Sequence, residues 1–394
     1  MRPPPPVPPC LDTDQPSPPA DAEVSGDWTD SIPRWLAATL FIFALGAAFW
    51  RIPSAAAPGF EPPPAAAPSA LPALFSSTLL PPSKAPAEPI LTRLPDGRLA
   101  AAWSAGSQDE ADGRGIWLSI EEPGGWHPPL RIASRESTAA GTLTHAGSLG
   151  QPLLHAEGSW LHLWYTSRDG LAGDSLNHSF STNGGQAWAK PAKLEISPLA
   201  GGELRPGSPP VSFDDGGLGM LLSRSFISGH SNWLRLSATG QILGLQRLPG
   251  SGERAAAIAL DTLHAVALQR DPTSRQLQLA NTADGGQSWQ AGKRLPISSA
   301  DSRPALLRLP SGRLLLAGNP GPGRTTLQLW LSADAGQSWQ RGRIIEEDAD
   351  ITADFSEPAL LLGRDGRIHL AYRWRRQAIK LASFSEAWLD GEAP

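Results

Sequence analysis

Short apolar runs, joined by turns that contain glycine, recur along the chain after residue 89. In the clearest copies, an apolar run, an Asp-Gly or Ser-Gly pair and a second apolar run follow one another. This pattern predicts β-hairpins, because such pairs favour tight turns between two strands. The six copies, of which the second, third and fourth are weaker, lie at 90–103, 152–165, 210–223, 257–269, 305–319 and 359–372.

An eight-residue motif marks the same repeat. Residues 282–289 read TADGGQSW and residues 332–339 read SADAGQSW, while 181–188, STNGGQAW, is a weaker copy. We expect each copy to form the turn between the third and fourth strands of a unit. Its Asp or Asn would cap backbone amides of the turn, and its tryptophan would pack between units. Six units of roughly 50 residues, each with four short strands, predict an all-β, six-bladed β-propeller over 85–394.

The chain before the repeats has a different composition. Residues 1–34 are rich in Pro, Asp and Ser, and we expect them to be disordered. Residues 35–51 carry the uncharged run WLAATLFIFALGAAFW, roughly 24 Å long as a helix and ending in tryptophans. This run predicts a single-pass transmembrane signal anchor that places the propeller outside the cytoplasm, in the periplasm. The alternatives are a cleaved signal peptide and a buried core helix. Residues 52–84, rich in Pro and Ala, predict a semi-rigid linker.

Charge and cysteine content exclude several classes of protein. The net charge of −5 gives no electrostatic support for nucleic-acid binding. The single cysteine, Cys10, rules out a disulfide within one chain. It lies in the proline-rich N-terminal segment, so we expect no catalytic thiol. The acidic run at 108–113 lacks the spacing of a calcium loop, and the histidines lack that of zinc ligands. We therefore expect no metal site and no cofactor.

Candidate binding residues follow from the order of the strands. Antiparallel strands alternate in direction, so the loops after each second strand and the segments between blades share one face of the disc. Several guanidinium groups around one axis would bind a planar anion such as a sugar carboxylate. Alternatively, they are solvated or pair with Asp109, Asp112, Asp169 and Asp354. The arginines in these loops are Arg168, Arg224, Arg270, Arg275, Arg303, Arg324 and Arg373.

The octapeptides resemble the Asp-box, Ser/Thr-x-Asp-x-Gly-x-Ser/Thr-Trp, of the sialidase (neuraminidase) superfamily, also called the BNR repeat. Two copies match it fully, and the third departs from it at Asn183 and Ala187. The segments SLGQPLL (148–154) and FSEPALLLGRDGRIHLAYRWRRQAIK (355–380) are similar to bacterial predicted neuraminidases. The resemblance covers about 85–390 and implies a glycosidase that acts on terminal acidic sugars, of the sialic acid or uronic acid type.

The resemblance also implies site residues. Sialidases use three arginines for the substrate carboxylate, a tyrosine nucleophile with a glutamate base, and an acidic proton donor. Arg270 and Arg324 resemble the second and third arginines by order and blade, and Arg373 is a further candidate for the carboxylate. The proton donor would be Asp109 or Asp112, with Glu110 between them as another candidate.

The chain departs from the family pattern at three places. Ala87-Glu88-Pro89 stands where the first arginine's Arg-Ile-Pro is expected, and Arg373 follows Tyr372 where an acid is expected. Phe355-Ser356 replaces the Tyr-Ser of the nucleophile, and phenylalanine cannot attack an anomeric carbon. Glu357 is then a candidate replacement carboxylate, with Asp109 or Asp112 opposite.

Four functions therefore stay open. The first is a glycoside hydrolase that acts on terminal acidic sugars. The second is a non-catalytic glycan-binding propeller that has lost the nucleophile. The third is a polysaccharide lyase with Tyr165, Tyr372 or His178 as its base. The fourth is a periplasmic interaction scaffold.

Overall fold

The chain forms two units, Met1–Ala56 and Ala57–Pro394. In the first unit, residues 35–44 are helical and exposed, and the rest of the predicted anchor, like residues 1–34, lies outside the described residues. None of the described helices is long and apolar enough to cross a membrane, so the anchor stays a prediction. The computed structural model describes residues 35–44, 58–61, 71–107, 113–169, 173–196, 202–225 and 229–391.

The second unit is a β-propeller of six blades, which confirms the predicted fold. Each blade is an antiparallel sheet, and the first strands of the blades contact one another around the central channel. Turns between first and second strands, together with the Asp-box turns, form one face of the disc, which we call the hairpin face. Loops between second and third strands, together with the segments between blades, form the opposite face, which we call the mouth face.

The first three blades use residues 87–247. Blade 1 contains β2 (Ala87–Arg93), β3 (Leu99–Ala105), β4 (Gly115–Glu122), β5 (Gly125–Trp126) and β6 (Leu130–Ala133). Helix α1 (Arg135–Thr142) leads to blade 2, which contains β7 (Ser148–Glu157), β8 (Trp160–Asp169), β9 (Gly173–Ser181) and β10 (Ala192–Leu194). Blade 3 contains β11 (Glu203–Pro206), β12 (Val211–Ser212), β13 (Leu218–Ser225), β14 (His230–Leu236) and β15 (Ile242–Arg247).

The last three blades complete the ring. Blade 4 contains β16 (Glu253–Ala259), β17 (Ala265–Arg270), β18 (Gln276–Thr282) and β19 (Gln290–Ser298). Blade 5 contains β20 (Ala305–Arg308), β21 (Leu314–Gly318), β22 (Thr326–Ser332) and β23 (Gln340–Glu347). Blade 6 contains β24 (Phe355–Leu362), β25 (Ile368–Trp374), β26 (Ala378–Phe384) and β1 (Phe75–Leu79), and helix α2 (Glu386–Asp390) follows it.

The Asp-box forms the turn between third and fourth strands in blades 2, 4 and 5, as predicted. In blade 4, Asp284 Oδ1 accepts hydrogen bonds from Thr282 Oγ1 at 2.7 Å and from the Ser288 amide at 3.0 Å. Gly286 has a φ of +82°, a conformation that a side chain would oppose. Trp289 is buried against Trp233 of blade 3, with 5.4 Å between the ring centroids. The motif therefore fixes a turn and joins two blades.

The N-terminal strand closes the ring, which changes the predicted domain boundary. Phe75–Leu79 pairs antiparallel with β26, with Phe75 opposite Phe384. The propeller therefore includes part of the interval 52–84 that the sequence analysis assigned to the linker. The strand FSSTL was missed because its partner lies at the far end of the chain.

A second part of the predicted linker is also docked on the propeller. Phe60 is fully buried on the hairpin face between blades 3 and 4, and its ring centroid lies 4.8 Å from that of Phe213. Its amide donates to Thr262 O at 2.7 Å, and the Glu61 amide donates to Ser212 O at 2.8 Å. Residues 58–61 therefore belong to the folded unit.

Candidate functional site

Four of the inner strands begin with a β-bulge that carries a polar residue. Glu88, Gln151, Arg254 and Glu357 occupy these positions in blades 1, 2, 4 and 6, with φ of 58°, 51°, 51° and 55°. Residues other than glycine in this left-handed region cost about 1–3 kcal/mol each and concentrate at functional sites. Because a bulge re-aims the side chain it carries, these four residues are candidates for a functional site on the mouth face.

Two arginines and a glutamate fill the centre of the ring. Arg254 Nη1 lies 3.2 Å from Glu357 Oε1, and its Nε donates to Asp301 Oδ1 at 2.9 Å. Arg303 donates to the carbonyl oxygens of Gly207 and Pro89, both at 3.0 Å, and so joins blade 5 to blades 3 and 1. Glu357, predicted as a catalytic carboxylate, is 4% exposed and is the counter-ion of Arg254.

A polar pocket of about 310 Å³ opens on the mouth face among blades 1, 2, 3 and 6. It has both acidic and basic walls, and two of the predicted loop arginines, Arg168 and Arg373, line it. A concave site with a few convergent polar groups is the usual form of a small-molecule site. The polar and charged residues that line it are Glu88, Arg114, Ser148, Gln151, Thr166, Arg168, Asp174, Glu203, Arg205 and Arg373.

Glu88 is held at one wall of this pocket by three donors. Its Oε2 accepts from the Gln151 amide at 2.8 Å and from Ser104 Oγ at 2.7 Å, and its Oε1 accepts from Gln151 Nε2 at 2.5 Å. Burial acts to raise the pKa of Glu88, but the charge of Arg114 and these hydrogen bonds outweigh it and lower the pKa below its ordinary value. The pocket therefore contains an ionised, oriented carboxylate at neutral pH.

Arg114 lines the pocket next to this carboxylate. Its Nη2 and Nε donate to Ser104 Oγ at 2.9 and 3.2 Å. No acidic side chain of the described residues lies within salt-bridge distance of it. Burial and the positive charge of Arg373 lower the pKa of Arg114, whereas Glu88 raises it. Arg114 is therefore a guanidinium that has hydrogen-bond acceptors but no ion-pair partner in the described part of the chain.

Arg324 and Arg373, two of the three predicted carboxylate ligands, meet at an acid of the protein itself. Asp354 Oδ2 accepts from Arg373 Nη2 at 2.5 Å, Arg376 Nε at 3.1 Å and Arg324 Nη1 at 3.4 Å. Ser356 Oγ donates to Oδ1. Burial opposes the charge of Asp354, but the bonds from Arg373 and Ser356 and the arginine charges lower its pKa to about 2. Asp354 therefore positions Arg373 at the pocket wall.

Arg270, the other predicted carboxylate ligand, lies away from Asp354. Arg270 does not join this cluster: its Nη1 donates to Glu253 Oε1 at 2.8 Å, and its Nε donates to the Ser299 carbonyl at 3.1 Å. Its partner Glu253 sits opposite it in the neighbouring strand, which the sequence analysis did not consider. Asp109 and Asp112, with Glu110, lie outside the described residues, so their proposed role as proton donors stays a prediction.

The chain's two tyrosines are both buried away from the pocket. Tyr165 Oη is 2.8 Å from Thr138 Oγ1, and burial raises its pKa to about 12. Tyr372 Oη donates to Glu346 Oε1 at 2.6 Å, and burial, followed by that carboxylate, raises its pKa further. Phe355, at the expected position of the nucleophile, is 1% exposed.

His178, the third candidate base, lies in blade 2 toward the hairpin face. Its Nε2 is 3.1 Å from Nδ1 of His162, and neither ring lines the mouth pocket. In the described residues, no group of three or more His, Cys, Asp or Glu side chains is arranged to hold a metal ion.

Sequence reasoning missed Glu88, Arg114, Gln151 and Arg205 as pocket residues. One signal was present: a polar residue directly precedes proline in Glu88-Pro89, Gln151-Pro152, Arg303-Pro304 and Glu357-Pro358. Proline disfavours the right-handed helical region for the residue before it. The recurrence of this pair at the start of inner strands marks the polar centre of the ring.

The chain belongs to the family of proteins with a BNR repeat-like domain, whose family model matches residues 97–370. Its propeller is similar to the Hadza microbial sialidase Hz136 (15% identity, TM-score 0.63, covering 78% of this chain and 67% of that one). It is also similar to the NanB sialidase from Streptococcus pneumoniae (11% identity, TM-score 0.60, covering 80% and 70%). A protein of unknown function from Dyadobacter fermentans matches at 14% identity and a TM-score of 0.61, covering 79% and 99%. No curated protein matches the chain by sequence.

Proposed function

We propose that the protein binds a terminal acidic sugar, of the sialic acid or uronic acid type, in the mouth pocket and does not hydrolyse it. The observation that carries the proposal is Arg114, a pocket guanidinium without an ion-pair partner among the described residues, next to Arg373. A guanidinium fork binds a carboxylate through two parallel hydrogen bonds. Glu88 and Gln151 supply oriented polar groups for the sugar hydroxyls.

The absence of hydrolysis is inferred from the aromatic residues. The sialidase scheme needs a tyrosine that can lose its proton and reach the anomeric carbon. Tyr165 and Tyr372 are buried, the pKa of each is raised, and Phe355 carries no hydroxyl group. These observations favour binding over the tyrosine mechanism.

The proposal is tested with the full chain and the variant Arg114→Gln. N-acetylneuraminate and glucuronate are titrated by isothermal calorimetry. We expect binding by the unchanged chain, and a loss of about tenfold or more in Arg114→Gln, since a charged hydrogen bond contributes about 1.5–3 kcal/mol. Arg341→Gln, which removes an exposed arginine from β23, is the matched control. Failure of both sugars to bind would contradict the proposal and favour the interaction scaffold.

Hydrolysis is the second candidate, and one observation favours it. Glu88 is an ionised carboxylate in the pocket, and carboxylates serve as nucleophile or base in most glycosidases. In the sequence, Asp109 and Asp112 fall between β3, which pairs with the strand that carries Glu88, and Arg114. A fluorogenic sialoside and a fluorogenic glucuronide test this candidate: turnover that disappears in Glu88→Gln, with sugar binding retained, would establish a hydrolase.

We also propose that the chain is held at the cell membrane by residues 35–51, with the propeller outside the cytoplasm. The support is the uncharged run at 35–50, which begins and ends with tryptophan. Fractionation of cells tests whether the chain is anchored in the membrane. Digestion of intact spheroplasts by a protease tests on which side of the membrane the propeller lies. Recovery of the full-length chain in the soluble fraction would contradict the proposal, and an N-terminus starting near residue 57 would indicate a cleaved signal peptide.

A further inference from the structure

The turn Trp374–Gln377, at the rim of the mouth pocket, has an unusual backbone. It is closed by a hydrogen bond of 3.0 Å from the Gln377 amide to the Trp374 carbonyl. Its two central residues, Arg375 and Arg376, both lie in the left-handed region, with φ of 51° and 60°. Tight turns with two left-handed residues strongly prefer Asn-Gly, because the side chain of other residues is strained there. The backbone conformation of this turn therefore disfavours both of the arginines that occupy it.

The same turn carries uncompensated positive charge. Arg376 shares the single oxygen Asp354 Oδ2 with Arg373 and Arg324, so three guanidinium groups surround one carboxylate. Arg324 also lies 3.9 Å from Asp301 Oδ2, but Asp301 is the partner of Arg254. The Arg376 side chain is 69% exposed. An anion that arrives at this rim therefore meets an accessible cation in a region with excess positive charge.

The turn and the pocket are adjacent. Arg373 lines the pocket and donates to the same oxygen as Arg376, which places the two guanidinium groups side by side. Arg375 is held by Asp348 and lies over Trp374, with 5.4 Å from its Cζ to the ring centroid. Arginine side chains therefore continue from the pocket out to the tip of the turn, and Arg376 is the exposed one beside Arg373.

We propose that the Arg375–Arg376 turn is a second anion site, and that the ligand is an extended polyanionic glycan with charged groups on successive sugars. This inference rests on the proposed function: the terminal acidic sugar occupies the pocket at Arg114 and Arg373, and the acidic group of a following sugar binds Arg376. Backbone strain that persists at a site needs a compensating advantage. Here the advantage is the placement of a guanidinium at the rim.

The test compares galacturonic acid with its linear trimer and hexamer, titrated into the full chain by calorimetry at two salt concentrations. We expect the hexamer to bind at least about tenfold more tightly than the monomer, because a second contact on the same molecule raises the effective affinity. This gain should shrink at high salt, which screens exposed charges.

The informative variant is Arg375→Asn combined with Arg376→Gly, which installs the residues that the turn prefers. We expect its midpoint of urea unfolding to rise, while the ratio of hexamer to monomer affinity falls to near one. A purely structural role for the arginines would not produce these opposite changes. Arg341→Gln, which removes one charge elsewhere, should leave the ratio unchanged.

The outcomes separate the two proposals. If monomer and hexamer bind equally tightly to the unchanged chain, and Arg114→Gln weakens both, the second site is wrong and the proposed function stands. If the paired substitution keeps the full affinity ratio, the turn is not the second site. If no galacturonate binds and N-acetylneuraminate and glucuronate also fail to bind, the proposed function itself has failed; if only the galacturonates fail, the polyanionic ligand is wrong and the proposed function stands.

Discussion

Arg254 and Glu357 form an ion pair between blades 4 and 6, with 3.2 Å between Nη1 and Oε1. Both side chains are 6% exposed, and both residues have left-handed backbone at a bulge. Blade 5 lies between these blades, so the pair links inner strands that are not neighbours in the ring. Glu357 thereby has a structural role that can be tested separately from the catalytic role predicted for it.

Replacing Glu357 by glutamine should destabilise the propeller. Arg254 would keep only the partly exposed Asp301 as a counter-ion, and breaking a buried pair on one side costs about 3 kcal/mol or more. Urea denaturation of the full chain measures the free energy of unfolding. The double change Arg254→Met with Glu357→Leu should recover part of the loss, because it removes both charges of the buried pair together. Unchanged stability together with lost turnover would instead support the catalytic role.

Phe60 should stabilise the folded propeller, although the sequence predicts that it lies in a linker. The side chain is fully buried against Phe213 and Trp233, and truncating a buried phenylalanine costs about 3–5 kcal/mol. We therefore expect Phe60→Ala to lower the free energy of unfolding by about that amount. Phe75→Ala, at a residue that is 43% exposed, is the control and should cost less. Equal stability of the Phe60 variant and the unchanged chain would show that the contact contributes nothing.

The six blades could be predicted because each is encoded locally. The Asp-Gly turns, the Asp-box and the apolar runs of one unit all lie within about 50 residues of one another. The same pattern recurs in the other units, and this recurrence supports the assignment of each blade. Strand β1 could not be found this way. FSSTL resembles any short polar–apolar stretch, and only its pairing with Ala378–Phe384 makes it part of a blade.

The candidate site was predicted less well than the fold. Loop position predicts that Arg324 and Arg373 share one face of the disc, because strand direction determines the face, and both side chains contact Asp354; their role as carboxylate ligands stays a prediction. Their common partner Asp354 was noted only as one of several possible acids. Arg270 was assigned to the same cluster but pairs with Glu253, since ion pairs across a bulge depend on a register that the sequence does not reveal. The family resemblance marks Glu88 only as the replacement of an arginine, and the polar residue before proline that Glu88 shares with Gln151 and Glu357 does not by itself reveal the left-handed backbone.

Completing the weak Asp-box in blade 2 should stabilise the protein. In blade 4, the hydroxyl of Ser288 donates to Asp284 Oδ2 at 2.5 Å, a bond for which blade 2 has Ala187 and Asn183 instead. The pair Asn183→Asp with Ala187→Ser should raise the free energy of unfolding by about 1 kcal/mol. The reciprocal change Ser288→Ala should lower it by a similar amount. Urea unfolding of both variants is the measurement, and shifts of the same sign would refute the explanation.

Acid should destabilise blade 2. The pKa of His155 and that of His178 are both lowered to about 4 by burial and by the charge of His162. In the unfolded chain these histidines have the ordinary value of 6.5. The unfolded state therefore binds more protons between those values, and stability decreases as the pH falls from about 6.5 to about 4. Each pKa unit between the folded and unfolded values corresponds to about 1.4 kcal/mol of folding free energy per histidine.

Denaturant titrations at neutral pH and near pH 4 would measure this loss. His178→Phe should flatten the pH dependence, because it removes one of the two groups with a strongly lowered pKa. His127→Gln, at a side chain that is 60% exposed, should leave the dependence as it is. A pH profile that is the same for all three proteins would assign the acid sensitivity to other groups.

The pairing of β1 with β26 also determines when the protein can finish folding during its synthesis. Ser76 and Ser383 are adjacent in the sheet but 307 residues apart in the chain. At about 5–20 residues per second, the ribosome adds that length in roughly 15–60 seconds. Throughout this time β1 has no partner, because the three other strands of blade 6 lie at residues 355–384. The two ends of the ring can therefore meet only after β26 (Ala378–Phe384) has been synthesised, and a nascent chain halted before residue 378 would leave an open edge for chaperones or proteases to recognise.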